Sequence, residues 1–135
     1  MRNLISLLFA AALLPLTAVN AAPRMAPEAE LAKALEGRTA GEPVDCINLH
    51  QIRSSRIIDR TAILYEVGST LYVNRPRAGA ESLDNWDALV TNTHTSQLCS
   101  IDTVRLYDTA SRFERGFVFL GDFVPYRRDR AERAN

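Results

Sequence analysis

The sequence predicts a small, mainly β domain, either an antiparallel sandwich or a partly open barrel, with a short N-terminal helix that brings it to the margin of the α+β class. Three observations support this prediction. From Val44 onward, short apolar runs alternate with polar and turn residues, as in antiparallel strands. A Gly-Ser pair joins two of these runs in the manner of a tight hairpin. Two cysteines, Cys46 and Cys99, can staple a domain of this size with one disulfide.

Residues 1–21 have the pattern of a secretory signal peptide. Arg2 supplies a positive charge, residues 4–16 are almost wholly apolar, and Val19-Asn20-Ala21 offers small residues for cleavage. The apolar stretch is shorter than the roughly 20 residues that cross a membrane comfortably. We therefore expect cleavage after Ala21, a periplasmic location and no transmembrane segment in the mature chain. An uncleaved N-terminal anchor is the alternative.

The charge balance argues against one class of partner. The chain has 16 basic and 16 acidic residues and a formal net charge of zero at pH 7. Nucleic-acid-binding domains usually carry a clear basic excess, so nucleic acid is not an expected partner. An envelope protein or a small-molecule ligand is the expected kind of partner.

The N-terminal segment, residues 22–43, contains one short predicted helix. The helix begins at Pro27, which suits a first helical turn, and continues to Glu36, where Gly37 ends it. Residues 39–43 are predicted to be a linker, and the β domain occupies residues 44–126. Residues 127–135 carry four arginines and two acidic residues with little apolar content, which is typical of a solvated charged tail.

The clearest local structure is a hairpin with Gly68 in its turn. Its two β-rich runs are Ala62–Val67 and Thr70–Asn74. A two-residue Gly-Ser connection places glycine where a positive φ is needed. In the resulting register Tyr65 faces Tyr72, and Leu64 faces Val73 on the other side of the sheet.

The segment from Leu83 to Val90 is predicted to form one or two helical turns. Leu83, Trp86 and Leu89 recur at a spacing that suits one face of a helix. The polar residues that follow, 92–96, are predicted to form a turn.

Two strands are predicted near the C-terminus. Residues 101–107 alternate between polar and apolar side chains, and residues 117–124 form a second β-rich run after a connection at 111–116. Pro125 is expected to end the last strand. Gly121 is expected to mark a bulge or a close approach of two backbones.

The two cysteines permit two kinds of structure. In an oxidising compartment Cys46 and Cys99 favour a disulfide, and this is the prediction. The alternative is a tetrahedral zinc site in which His50 and His94 join the two thiolates. The long separation between the two Cys/His pairs is unlike that of compact zinc fingers.

The densest polar cluster in the chain is the candidate ligand-binding site. Arg53, Arg56 and Asp59 lie close together in sequence, and Asp102 is a further candidate. Arginine binds carboxylates and phosphates through two parallel hydrogen bonds, so the cluster indicates a site for an anionic or acidic ligand. The alternative is an Arg–Asp pair that only holds a strand crossing.

Several blocks of the sequence resemble a family of small exported bacterial proteins that is defined as a domain of unknown function. The blocks are C-I-x-L-x-x-I-R-S-x-R-x-I-D from Cys46, Q-L-C-x-x-D from Gln97 and L-G-x-F-x-P from Leu120, together with the Gly68 hairpin. The resemblance spans residues 44–126. Many members carry two further cysteines that this chain lacks, and their joint absence is consistent with a remaining pair between Cys46 and Cys99. The resemblance implies no substrate, cofactor or catalytic residue.

The predicted function is a non-catalytic binding or envelope-accessory module of the periplasm. The chain contains no G-x-S-x-G elbow and no H-E-x-x-H motif, so no catalytic residue, metal or cofactor is predicted. Two alternatives stay open. One is a small hydrolase or metal-dependent enzyme that uses His94 and Asp102. The other is a carrier of a small apolar ligand in an aromatic-lined β pocket.

Overall fold

The structure is a computed structural model that describes residues 24–129. The predicted signal peptide and the last six residues of the predicted tail lie outside the described residues. Within residues 24–129 there are one α-helix, ten strands and two short 3-10 turns. The helix is α1 (Pro27–Ala34), and the turns are Leu49–Gln51 and Ala80–Ser82. The strands are β1 (Arg38–Ala40), β2 (Cys46–Asn48), β3 (Ile52–Ile58), β4 (Ala62–Val67), β5 (Thr70–Asn74), β6 (Asp87–Thr91), β7 (Gln97–Cys99), β8 (Thr103–Asp108), β9 (Phe113–Phe119) and β10 (Phe123–Arg128).

The described strands form three antiparallel sheets, and none closes into a barrel. The largest sheet has the order β1-β10-β5-β4-β3. A three-stranded sheet has the order β6-β8-β9, and β2 pairs with β7. The prediction of a mainly β, antiparallel fold with a short N-terminal helix is confirmed.

The five-stranded sheet contributes buried apolar residues to a core on each of its faces. Ile57, Ile63 and Phe123 belong to the main core, which they share with apolar residues of the two smaller sheets. Their neighbours on the opposite face, Ile58 and Leu64, belong to a second core beneath the helix. Because successive side chains of a strand point to opposite faces, the continuous apolar run of β4 serves both cores at once.

Helix α1 covers the outer face of this sheet. Pro27 lies in its first turn, and Leu31 is buried against Ile58 and Leu64. Gly37 adopts a φ of 68°, which ends the helical segment as predicted. Among the described residues, no helix is long and apolar enough to span a bilayer.

The predicted hairpin is confirmed in its bounds and in its register. β4 and β5 pair with Tyr65 opposite Tyr72 and Leu64 opposite Val73. Gly68 in the turn has a φ of 59°, a conformation that glycine adopts without strain.

The predicted helical turns at residues 83–90 are wrong. Residues 83–86 form a loop, and residues 87–90 belong to β6, which pairs with β8 from Asp87 to Thr91. The residue expected on the apolar face of the helix, Trp86, is 72% exposed. Leu89 and Val90 instead alternate across the sheet, and this long-range pairing overrides the local spacing.

Several predicted boundaries near the chain ends also differ. The predicted last strand, 117–124, is the end of β9 and the start of β10, separated by a short crossover. The predicted connection at 111–116 lies mostly inside β9. The predicted linker begins inside β1, and the predicted tail begins inside β10, because these two strands pair with each other.

Pro125 does not end the last strand but lies within β10. The carbonyl of Pro125 accepts from the backbone N–H of Gly41, just beyond the end of β1. The backbone N and C=O of one strand residue point to the same side, so the missing N–H of the proline faces Gly41 and not β5. The pairing of β10 with β5 therefore loses no hydrogen bond at Pro125.

A buried amide holds the crossover between β9 and β10. Asn74 is fully buried, and its Nδ2 donates to the carbonyl of Gly121 at 2.6 Å. The backbone N–H of Gly121 donates in return to Oδ1 of Asn74 at 3.1 Å. A Cβ on Gly121 would lie 2.4 Å from the carbonyl oxygen of Arg75, so the predicted close approach of two backbones is confirmed.

We expect Asn74→Ala to destabilise the protein by about 2–3 kcal/mol, because it leaves both backbone groups of Gly121 without their hydrogen-bond partner. Urea unfolding measures the change. Asn92→Ala, in an exposed loop, is the matched control and is expected to have little effect. Equal stability of the two variants would contradict the structural role of the Asn74 amide.

Candidate anion-binding site

Five arginines line two neighbouring hollows on the β4–β5 hairpin, and we call them the arginine cluster. They come from three strands: Arg38 of β1, Arg53 and Arg56 of β3, and Arg127 and Arg128 of β10. Four of them line an open hollow of about 390 Å³ beside the turn. A second hollow of about 280 Å³ adds Arg56 and shares Arg38 and Glu66 with the first.

The sheet topology brings these distant segments together. β1 and β10 pair along one edge, with Arg38 opposite Arg128, while β3 forms the other edge. The β4–β5 hairpin lies between these two edges of the sheet. Its last paired residues before the turn are Val67 and Thr70. Arginines from both edges therefore reach the same space above the turn.

A β-bulge sets the position of Arg53. The register of β3 against β4 shifts between Ile52 and Ser54, so Arg53 is the extra residue. A bulge bends a strand and redirects the side chain at the irregularity. This places Arg53 on the rim of the first hollow.

Among the described residues that line the two hollows, arginines outnumber acidic residues. Glu66 is the one acidic residue that lines the two hollows, and its carboxylate accepts from the hydroxyl of Ser54 at 2.9 Å. Nη1 of Arg38 donates to the backbone carbonyls of Ser69 and Tyr126, at 3.1 and 3.4 Å. Within the described part of the chain Arg53 has no salt bridge to a carboxylate. The result is a solvent-accessible surface of strong positive charge.

Only part of this cluster was predicted from the sequence. The structure places Arg53 and Arg56 together, as the polar run indicated. Two of the other members, Arg127 and Arg128, were missed because they lie in the segment predicted as a tail, and Arg38 was missed because it lies between the predicted helix and the predicted linker. The arginine content of residues 127–135 was the available signal.

The two predicted aspartates lie elsewhere. Asp59 is at the other end of β3, where its Oδ1 accepts from the backbone N–H of Asn85 at 2.7 Å. Oδ2 of Asp102 accepts from the backbone N–H of Cys99 at 2.7 Å and closes the turn after β7. Both carboxylates therefore stabilise loops. Among the described salt bridges none involves Asp59, so it does not form the Arg–Asp pair that was the alternative.

The predicted disulfide is present. Cys46 and Cys99 are directly opposite each other on β2 and β7, and they are bonded. The zinc alternative is wrong, because the sulfur atoms of Cys46 and Cys99 are bonded to each other and are not thiolates that could bind a metal. Among the described residues, no group of three His, Cys, Asp or Glu side chains is arranged to hold a metal ion.

The residues of the hydrolase alternative are not part of the arginine cluster. His94 is exposed in the loop before β7, and the carboxylate of Asp102 is committed to the turn after it.

A second charged group is centred on Arg115. Nη1 of Arg115 lies 3.1 Å from Oδ2 of Asp84 and 3.4 Å from Oδ1 of Asp87. The backbone N–H of Trp86, together with Arg115, lowers the pKa of Asp84. Burial raises the pKa of Asp87, and its Oδ2 has no hydrogen-bond partner among the described residues.

No protein family, curated protein or solved structure matches this chain. The resemblance to the exported family therefore stays a prediction. The function is argued below from the residues and their geometry.

We expect Asp84→Asn to destabilise the protein by about 1 kcal/mol at pH 7. The folded state lowers the pKa of this carboxyl group, so its stabilising effect is present above the unfolded pKa of about 3.9 and is lost as the pH falls through the folded pKa. The difference from the parent protein should therefore disappear at strongly acid pH. Urea unfolding across the pH range measures this, with the exposed Asp122→Asn as control. A difference that is independent of pH would contradict the assignment.

Proposed function

We propose that the protein is exported to the periplasm and acts there as a non-catalytic binding module that holds an anionic ligand on the arginine cluster. The signal-peptide pattern of residues 1–21 supports export. A disulfide is also what an oxidising compartment favours. The observation that carries the ligand class is the arrangement of five arginines along two neighbouring hollows on one hairpin.

Repulsion among the arginines supports this ligand class. Like charges that are held close together repel each other, and the described charged residues that line the two hollows are five arginines and one carboxylate, that of Glu66. A bound anion removes the repulsion and gains charge-assisted hydrogen bonds from the guanidinium groups. Carboxylate and phosphate groups fit best, because arginine presents two parallel N–H donors to them.

The shape of the site supports binding without chemistry. The two hollows are shallow and open to water, whereas catalytic electrostatics depend on a site from which water is excluded. Their charged residues are the arginines and one glutamate. His94 and Asp102, the groups suited to proton transfer, are placed elsewhere in the fold.

Binding of inorganic pyrophosphate, measured by calorimetry, tests the ligand class. We expect the parent protein to bind this probe with an affinity that falls as salt is added. The double variant Arg53→Gln/Arg127→Gln removes one guanidinium from each side of the turn and should lower the affinity about tenfold or more, the effect of losing at least 1.4 kcal/mol.

The matched control is Arg24→Gln/Arg77→Gln, which makes the same change in net charge at exposed arginines outside the cluster. An equal loss in the control would show that pyrophosphate responds only to overall charge. No binding by the parent protein, or unchanged binding by the cluster variant, would refute the proposed site.

Export is tested by the intact mass of the protein from the periplasmic fraction. A chain that begins at Ala22 and is about two mass units lighter than its dithiol form is expected. A chain retained with the membrane and beginning at Met1 would contradict the cleavage.

A further inference from the structure

The outer face of the three-stranded sheet exposes an apolar surface that the other described residues, 24–129, do not cover. Cross-strand pairing sets Val90 beside Arg105, and Arg105 beside Phe117. Tyr107 is opposite Glu114, and Phe119 lies two residues after Phe117 on β9. We call these six residues the aromatic face. The alternate residues of β8 and β9, such as Val104 and Val118, are fully buried on the inner side.

Phenylalanine side chains project from this face. Phe117 is 51% exposed and Phe119 is 38% exposed, and their rings meet edge to face with centroids 5.4 Å apart. Neighbouring exposed aromatic side chains on one face of a sheet are typical of an interaction surface. If another surface covered these side chains, their apolar area would be removed from water, which is favourable.

A hollow lies next to this projection. It has a volume of about 330 Å³ and is lined by Val90, Arg105, Tyr107 and Glu114. Phe117 is the cross-strand neighbour of Arg105, so projection and hollow are side by side. A two-fold rotation about an axis between them places the projection of each copy over the hollow of the other. This is the self-complementarity that an isologous interface requires.

The charges on the face are complementary in the same way. Arg105 and Glu114 lie 3.2 Å apart and give the face no net charge. The two-fold rotation that exchanges projection and hollow brings Arg105 of one copy toward Glu114 of the other, and the reverse. The chain itself has a formal net charge of zero, so long-range repulsion between copies is small. A polyanion or an anionic membrane would instead require basic residues around the apolar centre.

We propose that the aromatic face is the interface of a two-fold symmetric homodimer, in which Phe117 of each copy enters the hollow of the other and Arg105 pairs with Glu114 across the interface. The arginine cluster lies on a different sheet and shares no residue with this face. Dimerisation is therefore independent of the proposed anion binding. Each dimer carries two arginine clusters, which increases its avidity for ligands with several anionic groups.

The decisive experiment uses two charge-reversal variants, Arg105→Glu and Glu114→Arg, in sedimentation equilibrium of protein purified after expression of the full chain. The parent protein is expected to show a concentration-dependent monomer–dimer equilibrium. Each variant alone places like charges at both contacts, and its dimer association constant should fall about tenfold or more. Mixing the two variants restores opposite charges at both contacts, so a heterodimer should form. Circular dichroism and thermal melts establish that both variants are folded.

A second pair of variants tests the apolar contact. Phe117→Ser should lower the dimer association constant by about tenfold or more, as expected of a central aromatic residue. Ile101→Ser removes an equally apolar side chain that is 73% exposed in the turn before β8, and it should leave the association constant unchanged.

Three results would overturn the proposal. One is a parent protein that stays monomeric at every concentration. Another is a mixture of the two charge variants that remains monomeric while the parent dimerises. The third is a monomer that binds phosphatidylglycerol vesicles through Phe117, which would assign the face to a lipid surface.

Discussion

The hydrogen bonds between the buried amide of Asn74 and the backbone of Gly121 fix how the sheets are joined. Asn74 ends β5 in the five-stranded sheet, and Gly121 lies in the crossover by which the chain leaves the three-stranded sheet. Two further contacts depend on this crossover. Phe123, just beyond it, pairs with Val44 and fills the main core, and Arg75 approaches the Gly121 backbone too closely for any side chain there. A buried polar group is tolerated here because both of its partners are satisfied.

The sequence predicted what neighbouring residues decide. The β4–β5 hairpin follows from Gly68 and from two runs of β-forming residues, and its register needed no distant information. The alternation in β8 was equally visible, since Val104 and Leu106 are buried between polar residues. The disulfide was predicted from the signal-peptide pattern and the cysteine count. In each case the local pattern and the final structure agree.

What could not be predicted depends on pairing between distant segments. The sequence predicts a helix at residues 83–90 because the apolar spacing there fits the helical period as well as the strand period. Only the pairing of β6 with β8 decides between the two. β1 and the end of β10 lie mostly in the segments predicted as linker and tail, because neither stretch has an apolar run. They are strands because they pair with each other and with β5. The arginine cluster depends on that same pairing, so only Arg53 and Arg56 were found.

The strand order has a consequence for when the fold can form. β10 lies between β1 and β5, so β1, near the beginning of the described chain, has no neighbour in its sheet until the last strand exists. The disulfide imposes no such delay, because the ring it closes contains the β3–β4–β5 meander and ends at Cys99, before β8 begins. In a chain that is released N-terminus first, the disulfide can therefore form early, while the edge of the five-stranded sheet next to β5 is still unpaired. That edge can pair only after β10 is available. The arginines of β1, β3 and β10 come together at the same stage.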